Sequence, residues 1–270
     1  MNKNESIRKD KNKTVFTSER QKLIEAYILE RGSATVQELS GRFQVSAVTI
    51  RKDLDELEKG DLVQRTHGGA VSKYKSAQGG QFQTLTDRNR EEKQRIGKKA
   101  VSFIENGDTI FLDASTTAHV FASLLAEAGF TGLTVITTSL YVAQLLLAQG
   151  IRVIMIGGEM NRNINAAEGP AALEQISGMS ADKGFIGVNG IDKQFGFSVD
   201  SLEEAAIKRS ICQSSRRTFI LADYTKFNRR YMARIFGTEE CAAGCLITDG
   251  PRENIDYGFL KNKMKLVFAE

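Results

Sequence analysis

Cysteine and histidine are scarce in this chain of 270 residues, which contains three cysteines and two histidines. An odd number of cysteines is typical of a protein in a reducing cytosol and argues against a disulfide framework. Cys241 and Cys245 have a CxxxC spacing, but no further cysteine or histidine cluster is close to them in sequence, and His67 and His119 stand alone. Buried thiols are therefore favoured over a zinc site. We expect no metal and no cofactor.

A long apolar run is also missing. The most apolar stretch, residues 133–158, is interrupted by Thr137, Thr138, Ser139, Gln144, Gln149 and Arg152. A bilayer-spanning helix needs about 20 predominantly apolar residues in succession, so no membrane association is expected. The N-terminal sequence MNKNESIRKDKNK has no apolar core of the kind found in signal peptides. We therefore expect residues 1–16 to be a flexible tail of a cytoplasmic protein.

Net positive charge is confined to one part of the chain. The length favours two domains, and 41% apolar with 26% charged residues is typical of a globular protein. Residues 1–75 contain 15 lysines and arginines against 11 acidic residues, whereas residues 76–270 contain 22 of each. A small basic domain joined to a neutral larger one favours a polyanion-binding module attached to a domain of another kind.

Residues 35–70 have the pattern of a helix-turn-helix that is followed by a β-hairpin wing. Ser18 begins an upstream support helix, and Thr35 with Glu38 predicts a capping box for a second, short helix. Ser46 is a suitable N-cap for a third helix, whose inner face is predicted to contain Ile50, Leu54 and Leu57.

The third helix has the charge pattern of a helix that lies in the DNA major groove. Its outer face, which begins small and basic and becomes acidic later, is predicted to contain Ala47, Thr49, Arg51, Lys52, Asp53 and Glu56. Small residues permit close approach to base edges, and basic side chains neutralise phosphate. The candidate DNA-binding residues of this segment are Ser46, Thr49, Arg51 and Lys52. Arg51 is the best equipped to recognise guanine through paired donors.

A short hairpin is predicted after this helix. Residues 62–65 alternate like a strand, Thr66-His67-Gly68-Gly69 predicts a turn, and residues 70–71 return as the second strand. Arg65 and His67 at the tip are further candidates for contact with phosphates or the minor groove. A solvated surface side chain is the alternative for each of them.

From residue 87 onwards, short apolar strands alternate with helical stretches, which predicts an α/β domain with a mostly parallel sheet. Residues 73–86 are polar and contain glycine, so they are predicted to link this domain, 87–270, to the DNA-binding domain, 17–72. The predicted strands are residues 109–112, 133–137, 152–156, 183–188, 218–221, 245–248 and 265–268. The predicted helices include residues 88–105, 118–128, 140–149 and 202–214.

Polar or glycine-containing runs follow most of the predicted strands, at the edge where open α/β sheets bind ligands. The first strand leads into Asp113-Ala114-Ser115-Thr116-Thr117 and a helix, which together offer N–H groups and hydroxyls to an anion. Other strands end in Thr137-Thr138-Ser139, Gly157-Gly158, Gly187-Val188-Asn189-Gly190-Ile191-Asp192 and Ala222-Asp223-Tyr224-Thr225-Lys226-Phe227. Each run alone has an explanation as a cap or a turn. Their recurrence at one edge favours a site for a small polar ligand.

The strings VSAVTIRKDLDELE and RTHGGA resemble the DNA-binding signature of the DeoR family of bacterial transcriptional repressors. The strings LDASTT, ITTS, GVNGID, SLEEAAIKR and ADYTKF resemble the C-terminal sensor domain of that family, which is Rossmann-like and similar in fold to ribose-5-phosphate isomerase. The resemblance implies a repressor of a sugar-utilisation operon that a phosphorylated sugar releases from its DNA operator. It also implies a homo-oligomer, dimer or tetramer, held together by the larger domain.

The same resemblance implies an effector pocket. Its implied phosphate-binding residues are Ser115, Thr116 and Thr117, and its implied contacts to sugar hydroxyls are Asp113 and Asp192. Glu204, Lys208 and Lys226 would complete the pocket, with Thr138, Ser139, Gly157, Gly158 and Asn189 as further candidates.

The fold relation leaves a second class of function open, a sugar-phosphate isomerase that carries a DNA-binding domain. Asp113, Asp192 and Lys208 would then abstract a proton and stabilise an enediolate. An effector pocket uses the same polar groups, however, and a fold alone does not imply a function. We therefore expect a sensor with no catalytic residues.

Overall fold

The computed structural model describes residues 17–31, 33–60, 63–66, 68–72, 79–240 and 244–270. The chain divides into two compact units, Met1–Gln81 and Phe82–Glu270. The predicted N-terminal tail, residues 73–78 of the predicted linker, His67 and Cys241 lie outside the described residues.

The smaller unit is a helix-turn-helix with a wing, as the sequence predicts. Its elements are α1 (Thr17–Arg31), β1 (Ser33–Thr35), α2 (Val36–Phe43), α3 (Ala47–Lys59), β2 (Val63–Thr66) and β3 (Gly69–Ser72). The strands form an antiparallel sheet in the order β1-β3-β2. The core between the helices and this sheet contains Ile24, Ile28, Leu39, Ile50, Leu54 and Val63.

Two predicted helix caps define the starts of α2 and α3. The Thr35 hydroxyl accepts the Glu38 N–H at 3.2 Å, and the Glu38 carboxylate accepts the Thr35 N–H at 2.8 Å. The Ser46 hydroxyl accepts the Thr49 N–H at 3.2 Å. Each cap provides an acceptor for a first-turn N–H that has none within its helix, so these residues determine where α2 and α3 begin.

Asp53 does not lie on the outer face of α3, and the sequence prediction was wrong at this position. Its side chain is 2% exposed. It accepts two hydrogen bonds from Arg20 of α1, at 2.7 Å from Nε and 3.1 Å from Nη2. Helical spacing places residue 53 beside Ile50 and Leu57 on the inner face, and the paired contact with a guanidinium compensates for the burial of its charge.

Gly69 permits the close packing of the wing against β1. It pairs with Thr35 in the sheet, and a Cβ atom at this position would lie 2.0 Å from the carbonyl oxygen of Ala34. The second glycine of the predicted turn therefore has a packing function.

Residues 79–86, which the sequence predicts as linker, are helical. They belong to α4 (Gly79–Asp87), and the boundary between the two compact units falls within this helix. Phe82, the first residue of the larger unit, is 6% exposed, so the second half of α4 is packed as part of that unit.

The larger unit is an α/β domain, as predicted. Its other helices are α5 (Arg90–Val101), α6 (Thr116–Glu127), α7 (Leu140–Ala148), α8 (Pro170–Ser177) and α9 (Leu202–Gln213). Its strands are β4 (Thr109–Leu112), β5 (Thr134–Thr137), β6 (Arg152–Met155), β7 (Glu159–Asn161), β8 (Ala166–Glu168), β9 (Ala181–Gly187), β10 (Gly190–Asp192), β11 (Gly196–Val199), β12 (Ser215–Leu221), β13 (Ala233–Phe236), β14 (Cys245–Asp249) and β15 (Lys265–Ala269). No described helix is both long enough and apolar enough to cross a membrane.

Seven strands form one parallel sheet in the order β15-β14-β12-β9-β4-β5-β6. From β4 the chain continues to β5 and β6 on one side, and it returns to β9 on the other side. The order therefore reverses between β4 and β9, and a crevice at the carboxyl ends of two such strands is the usual ligand site of an open α/β sheet. The strands β7 and β8 form a separate hairpin, and β10, β11 and β13 form a small antiparallel sheet. The sequence did not predict either of these additions.

Candidate functional site

The outer face of α3 presents the basic residues that the sequence predicts for DNA contact. Arg51 and Lys52 are exposed, and among the described residues neither makes a hydrogen bond or an ion pair within the protein. The acidic residues follow one turn later and have partners, since Asp55 contacts Arg65 at 3.2 Å and Glu56 contacts Lys59 at 2.7 Å. The unpaired positive charge of α3 is therefore at its N-terminal half, the part of a recognition helix that approaches bases.

Ser46 and Thr49 lie at the start of this helix. Besides capping the Thr49 N–H, the Ser46 hydroxyl lies 2.9 Å from the Thr49 hydroxyl. The structure thus shows a capping role for Ser46, while a DNA contact by either hydroxyl stays a prediction.

Val48 is a surface residue of α3 that the sequence analysis missed. It is 59% exposed and lies one turn before Arg51 and Lys52 on the same face. Apolar side chains at the start of a recognition helix contact the methyl group of thymine. The sequence did contain an indication of its exposure, because helical periodicity places residue 48 off the buried face that is formed by Ile50, Asp53, Leu54 and Leu57.

Arg65 is not at the tip of the wing. The register pairs Arg65 with Ala70, and Thr66 with Gly69 lies nearer the turn. The Arg65 guanidinium contacts the Asp55 carboxylate and donates to the Gly69 carbonyl oxygen at 3.3 Å, while its N–H donates to Glu58 at 2.8 Å. These contacts fix the wing against α3. His67 lies outside the described residues.

A buried ion pair occupies the crevice between β4 and β9. Asp113, which follows β4 and is 1% exposed, pairs with Lys208 of α9, which is 2% exposed. The second carboxylate partner of Lys208 is Glu204, at 3.1 Å. Burial acts to lower the pKa of Lys208, but the charges of Asp113 and Glu204 outweigh it and raise that pKa above its ordinary value. Lys208 is therefore a fixed positive charge.

Asp113 also organises the loop between β4 and α6. It accepts hydrogen bonds from the Gly187 N–H at 2.7 Å, from the Ser115 N–H at 3.0 Å and from the Ser115 hydroxyl at 2.7 Å. A Cβ atom at position 187 would lie 2.4 Å from the Ser115 side chain, so glycine is required where β9 ends. One carboxylate thereby joins the ends of β4 and β9 to α9.

The N-terminus of α6 offers first-turn backbone N–H groups of the kind that bind anions. Ser115 is its N-cap and accepts the Ala118 N–H at 3.2 Å. Thr116 and Thr117 form the first turn, where backbone N–H groups have no acceptor within the helix and the helix dipole favours negative charge. This geometry agrees with phosphate binding by these residues, which stays a prediction.

A small recess of about 10 Å³ adjoins the ion pair. Its lining comes from the ends of β4 and β5, from β8 and the segment leading into it, and from α9, and consists of Asp113, Ala114, Thr138, Ile164, Ala166, Ala167, Glu168, Glu204, Ile207 and Lys208. The structure thus brings together four of the residues predicted from sequence, Asp113, Thr138, Glu204 and Lys208. A larger and more open cavity of about 380 Å³ lies at the opposite end of the sheet, near Leu133 and Arg152, and its described lining contains none of the predicted residues.

Glu168 is the lining residue that the sequence analysis missed. It is 9% exposed, and one of its carboxylate oxygens is buried without a hydrogen-bond partner. The other oxygen accepts a hydrogen bond from Asn161 at 2.8 Å. No sequence signal pointed to it, because β7 and β8 were not predicted.

Several other predicted effector residues are not in this recess. Ser139 is fully buried as the N-cap of α7, where it accepts the Val142 N–H. Gly157 and Gly158 are exposed in the loop after β6. Asn189 donates to Asp200 at 2.5 Å, and Lys226 belongs to a short helical turn after β12. None of these five belongs to the described lining of the recess.

Asp192 is also absent from the lining. It ends β10, and its carboxylate accepts hydrogen bonds from the Phe195 N–H, the Gln194 N–H and Arg230. These contacts, chiefly the one with Phe195, lower the pKa of Asp192. The side chain thus stabilises the turn between β10 and β11. It does not join Asp113 and Lys208 as the isomerase hypothesis requires.

The exposed basic face of α3 and the polar recess of the larger unit together define a class of protein, a DNA-binding transcriptional regulator with a sensor domain. Two family models match the chain, a DeoR-like helix-turn-helix domain at residues 20–76 and a DeoR C terminal sensor domain at residues 88–250. The chain belongs to the DeoR family of transcriptional regulators.

Relatives support this assignment. The chain is 33% identical to the HTH-type transcriptional regulator YulB of Bacillus subtilis (strain 168), over 94% of this chain and 97% of that protein. It is also 33% identical to the glycerol-3-phosphate regulon repressor of Escherichia coli (strain K12), over 77% of this chain and 82% of that protein. Both relatives are named as regulators and not as enzymes, and we set the isomerase hypothesis aside.

A solved structure, ribose 5 phosphate isomerase A from Neisseria gonorrhoeae, matches with a TM-score of 0.39 at 17% identity, over 51% of this chain and 53% of that one. The likeness is too distant to bear on function.

Proposed function

We propose that this regulator represses an operon for the use of a sugar or sugar derivative. A phosphorylated sugar, bound where β4 and β9 end, releases it from its operator. The observation that carries this proposal is the buried pair of Asp113 and Lys208 beside the N-terminus of α6. The helix start suits a phosphate, and the carboxylates and ammonium group suit hydroxyls. The Escherichia coli relative is named for glycerol 3-phosphate, which is a phosphorylated polyol.

The size of the recess supports a conformational response. The recess encloses only about 10 Å³, far below the roughly 300 Å³ at the lower end of ligand sites, so a sugar phosphate enters only if part of the lining moves. The strand β8 belongs to the lining but not to the seven-stranded sheet. A ligand that binds the open arrangement better than the closed one shifts the protein towards it.

The DNA-binding half of the proposal is tested on an operator selected from random DNA by the purified protein. Arg51→Ala is expected to weaken binding to this operator by about tenfold to a hundredfold, because a guanidinium at a base or phosphate is lost. Lys59→Ala is the matched control. It removes one positive charge from the far end of α3, where Lys59 pairs with Glu56. Equal losses in the two variants would mean that charge alone, and not the position of Arg51, governs binding.

The effector half is tested with the double substitution Ser115→Ala and Thr116→Ala. This variant is expected to bind the operator normally and to need at least about tenfold more sugar phosphate for release, since hydrogen bonds to a charged phosphate are lost. Ser123→Ala, a half-buried serine on the same helix, is the control for loss of a hydroxyl from α6. Normal release from the double variant would place the phosphate site elsewhere.

A further inference from the structure

The charges that line the recess do not balance. Its described lining contains three carboxylates, on Asp113, Glu168 and Glu204, and one ammonium group, on Lys208. Lys208 is paired with Asp113 and shared with Glu204. Glu168 has no cationic partner among the described residues, and its only side-chain hydrogen bond comes from the neutral amide of Asn161.

The unpaired carboxylate has a defined position in this arrangement of the recess. Glu168 ends β8, which is fixed to the end of β5 by the hydrogen bond from the Ala167 N–H to the Thr138 carbonyl oxygen at 2.9 Å. Glu168 is nine-tenths buried, and its free oxygen has no hydrogen-bond partner among the described residues to replace water. An uncompensated buried carboxylate is costly unless a partner completes it.

The surroundings of Glu168 indicate which partner would complete it. Burial raises the pKa of Glu168 above its ordinary value, and the nearby Glu204 and Glu203 raise it further, although the hydrogen bond from Asn161 and the charge of Lys208 oppose this. A neutral hydroxyl would satisfy the free oxygen but would leave the excess of negative charge. A cation satisfies both.

We infer that the effector carries a protonated amine that binds Glu168, so that the ligand of this recess is a phosphorylated amino sugar. The inference rests on the proposed function of the same site. The phosphate would lie at the start of α6, and the amine would lie at Glu168 with Glu204 close to it. The two ends of the ligand then meet opposite charges, which fixes its orientation.

The test is isothermal calorimetry on the full-length protein with matched ligands. The probes are the 6-phosphates of glucosamine, galactosamine and mannosamine, their parent hexose 6-phosphates and their N-acetyl derivatives, with EDTA present to exclude divalent cations. At least one amino sugar phosphate is expected to bind roughly tenfold or more tightly than its parent sugar phosphate, because a hydrogen bond between charged groups replaces one to a neutral hydroxyl. Its N-acetyl derivative, in which the nitrogen is a neutral amide, is expected to lose that advantage.

Two variants connect the preference to the residue. Glu168→Gln keeps an acceptor for Asn161 and removes the charge, so it is expected to bind the amine and the parent sugar phosphate equally. Glu159→Gln is the control, because Glu159 pairs with Glu168 across the hairpin and is exposed. It is expected to keep the full preference. If Glu168→Gln does not fold, the inference is still tested by whether the unaltered protein binds an amino sugar phosphate more tightly than its parent sugar phosphate.

The outcomes separate the two proposals. A parent or N-acetyl sugar phosphate that binds as tightly as the amine overturns the inference and leaves the sugar-phosphate sensor intact. A preference that survives in Glu168→Gln also overturns it. If no sugar phosphate of any kind binds, both the inference and the proposed function fail.

Discussion

The residues of α3 divide by exposure into a buried set that packs in the core and an exposed set that is available for DNA contact. On α3, residues 50, 53, 54 and 57 are buried, whereas Val48, Arg51 and Lys52 are exposed. We propose that Arg51 and Lys52 contact phosphates or guanine, to which basic side chains are suited. We propose that Val48, an exposed apolar side chain, contacts the methyl group of thymine.

Val48→Ala is predicted to weaken operator binding by about threefold to tenfold, as loss of one base contact does. The effect should disappear when one particular thymine of the operator is replaced by uracil, which lacks the methyl group. Because Val48 is 59% exposed, the melting temperature should stay within about 1 °C of the unaltered protein. Leu23→Ala, at an exposed position of α1, is the control and should bind normally. If the unaltered protein and Val48→Ala both bind every uracil-substituted operator as tightly as the thymine operator, Val48 does not contact a thymine methyl group.

The raised pKa of Glu168 leads to a second prediction. It means that ionisation of this carboxyl group lowers the free energy of unfolding. The native carboxyl group keeps its proton to a higher pH than the unfolded chain does, so its charged form destabilises the native protein above the native pKa. This cost is absent below the ordinary glutamate value of 4.5. Glu168→Gln should therefore melt higher than the unaltered protein at pH 7.5, by on the order of 1–3 °C, and no higher at pH 4. A lower melting temperature at pH 7.5 would mean that the charge is compensated.

The elements around the recess connect it to the helix that follows the DNA-binding unit. Phe82 of α4 stacks on Tyr141 of α7 at 4.5 Å between ring centroids and meets the edge of His119 of α6 at 5.4 Å. The Tyr141 hydroxyl accepts a hydrogen bond from Asn165, the residue before β8, at 3.1 Å. The start of α6, the hairpin that lines the recess and α4 therefore share one aromatic cluster.

The other end of α4 is held by a buried lysine. Lys93 of α5 is 3% exposed and donates to the carbonyl oxygens of Leu85 and Thr86. Burial lowers its pKa to about 8. These contacts give α4 a fixed position in the larger unit, so a change at the recess has a packed route to this helix.

Tyr141→Phe is predicted to make the regulator more sensitive to its effector. The variant keeps the aromatic stack and removes the hydrogen bond that holds Asn165 in the closed recess, so opening costs less. Loss of one hydrogen bond of about 1 kcal/mol should lower the effector concentration for half-release by about fivefold. Operator affinity without effector should be unchanged, and Tyr231→Phe, on another loop of the same unit, should behave normally. If Tyr141→Phe instead needs more effector for release, the hydrogen bond between Tyr141 and Asn165 stabilises the open state of the recess.

The sequence predicted those elements whose formation depends on residues close to one another in the chain. The caps at Thr35 and Ser46 and the strands β4 to β6 depend on nearby residues, and they lie where the sequence places them. Asp53 was misplaced despite its helical spacing, because an aspartate is seldom buried without a paired cation and its partner Arg20 is 33 positions away. Glu168 and Asp192 depend on β8 and β10, three-residue strands whose pairing is set by tertiary contacts. The recess could thus be predicted at Asp113 and Lys208, but not at its hairpin side.

At the scale of the whole molecule, we propose that two DNA-binding domains, linked in an oligomer, select the operator together. One unit with a few phosphate contacts binds weakly and is sensitive to salt, whereas two units in one oligomer multiply affinity and fix the spacing of half-sites. An effector that favours an arrangement with another spacing releases both units together. This account requires the sensor unit to have two states with different affinities for the ligand.

The most direct test measures the anisotropy of labelled operator DNA bound by the full-length protein while phosphorylated sugars are added. The account predicts that at least one of them releases the DNA and that its unphosphorylated form does not. The protein with Ser115→Ala and Thr116→Ala should stay bound at that concentration. If no phosphorylated sugar releases the DNA, or if the double variant is released as readily, the larger unit does not sense a sugar phosphate at the ends of β4 and β9.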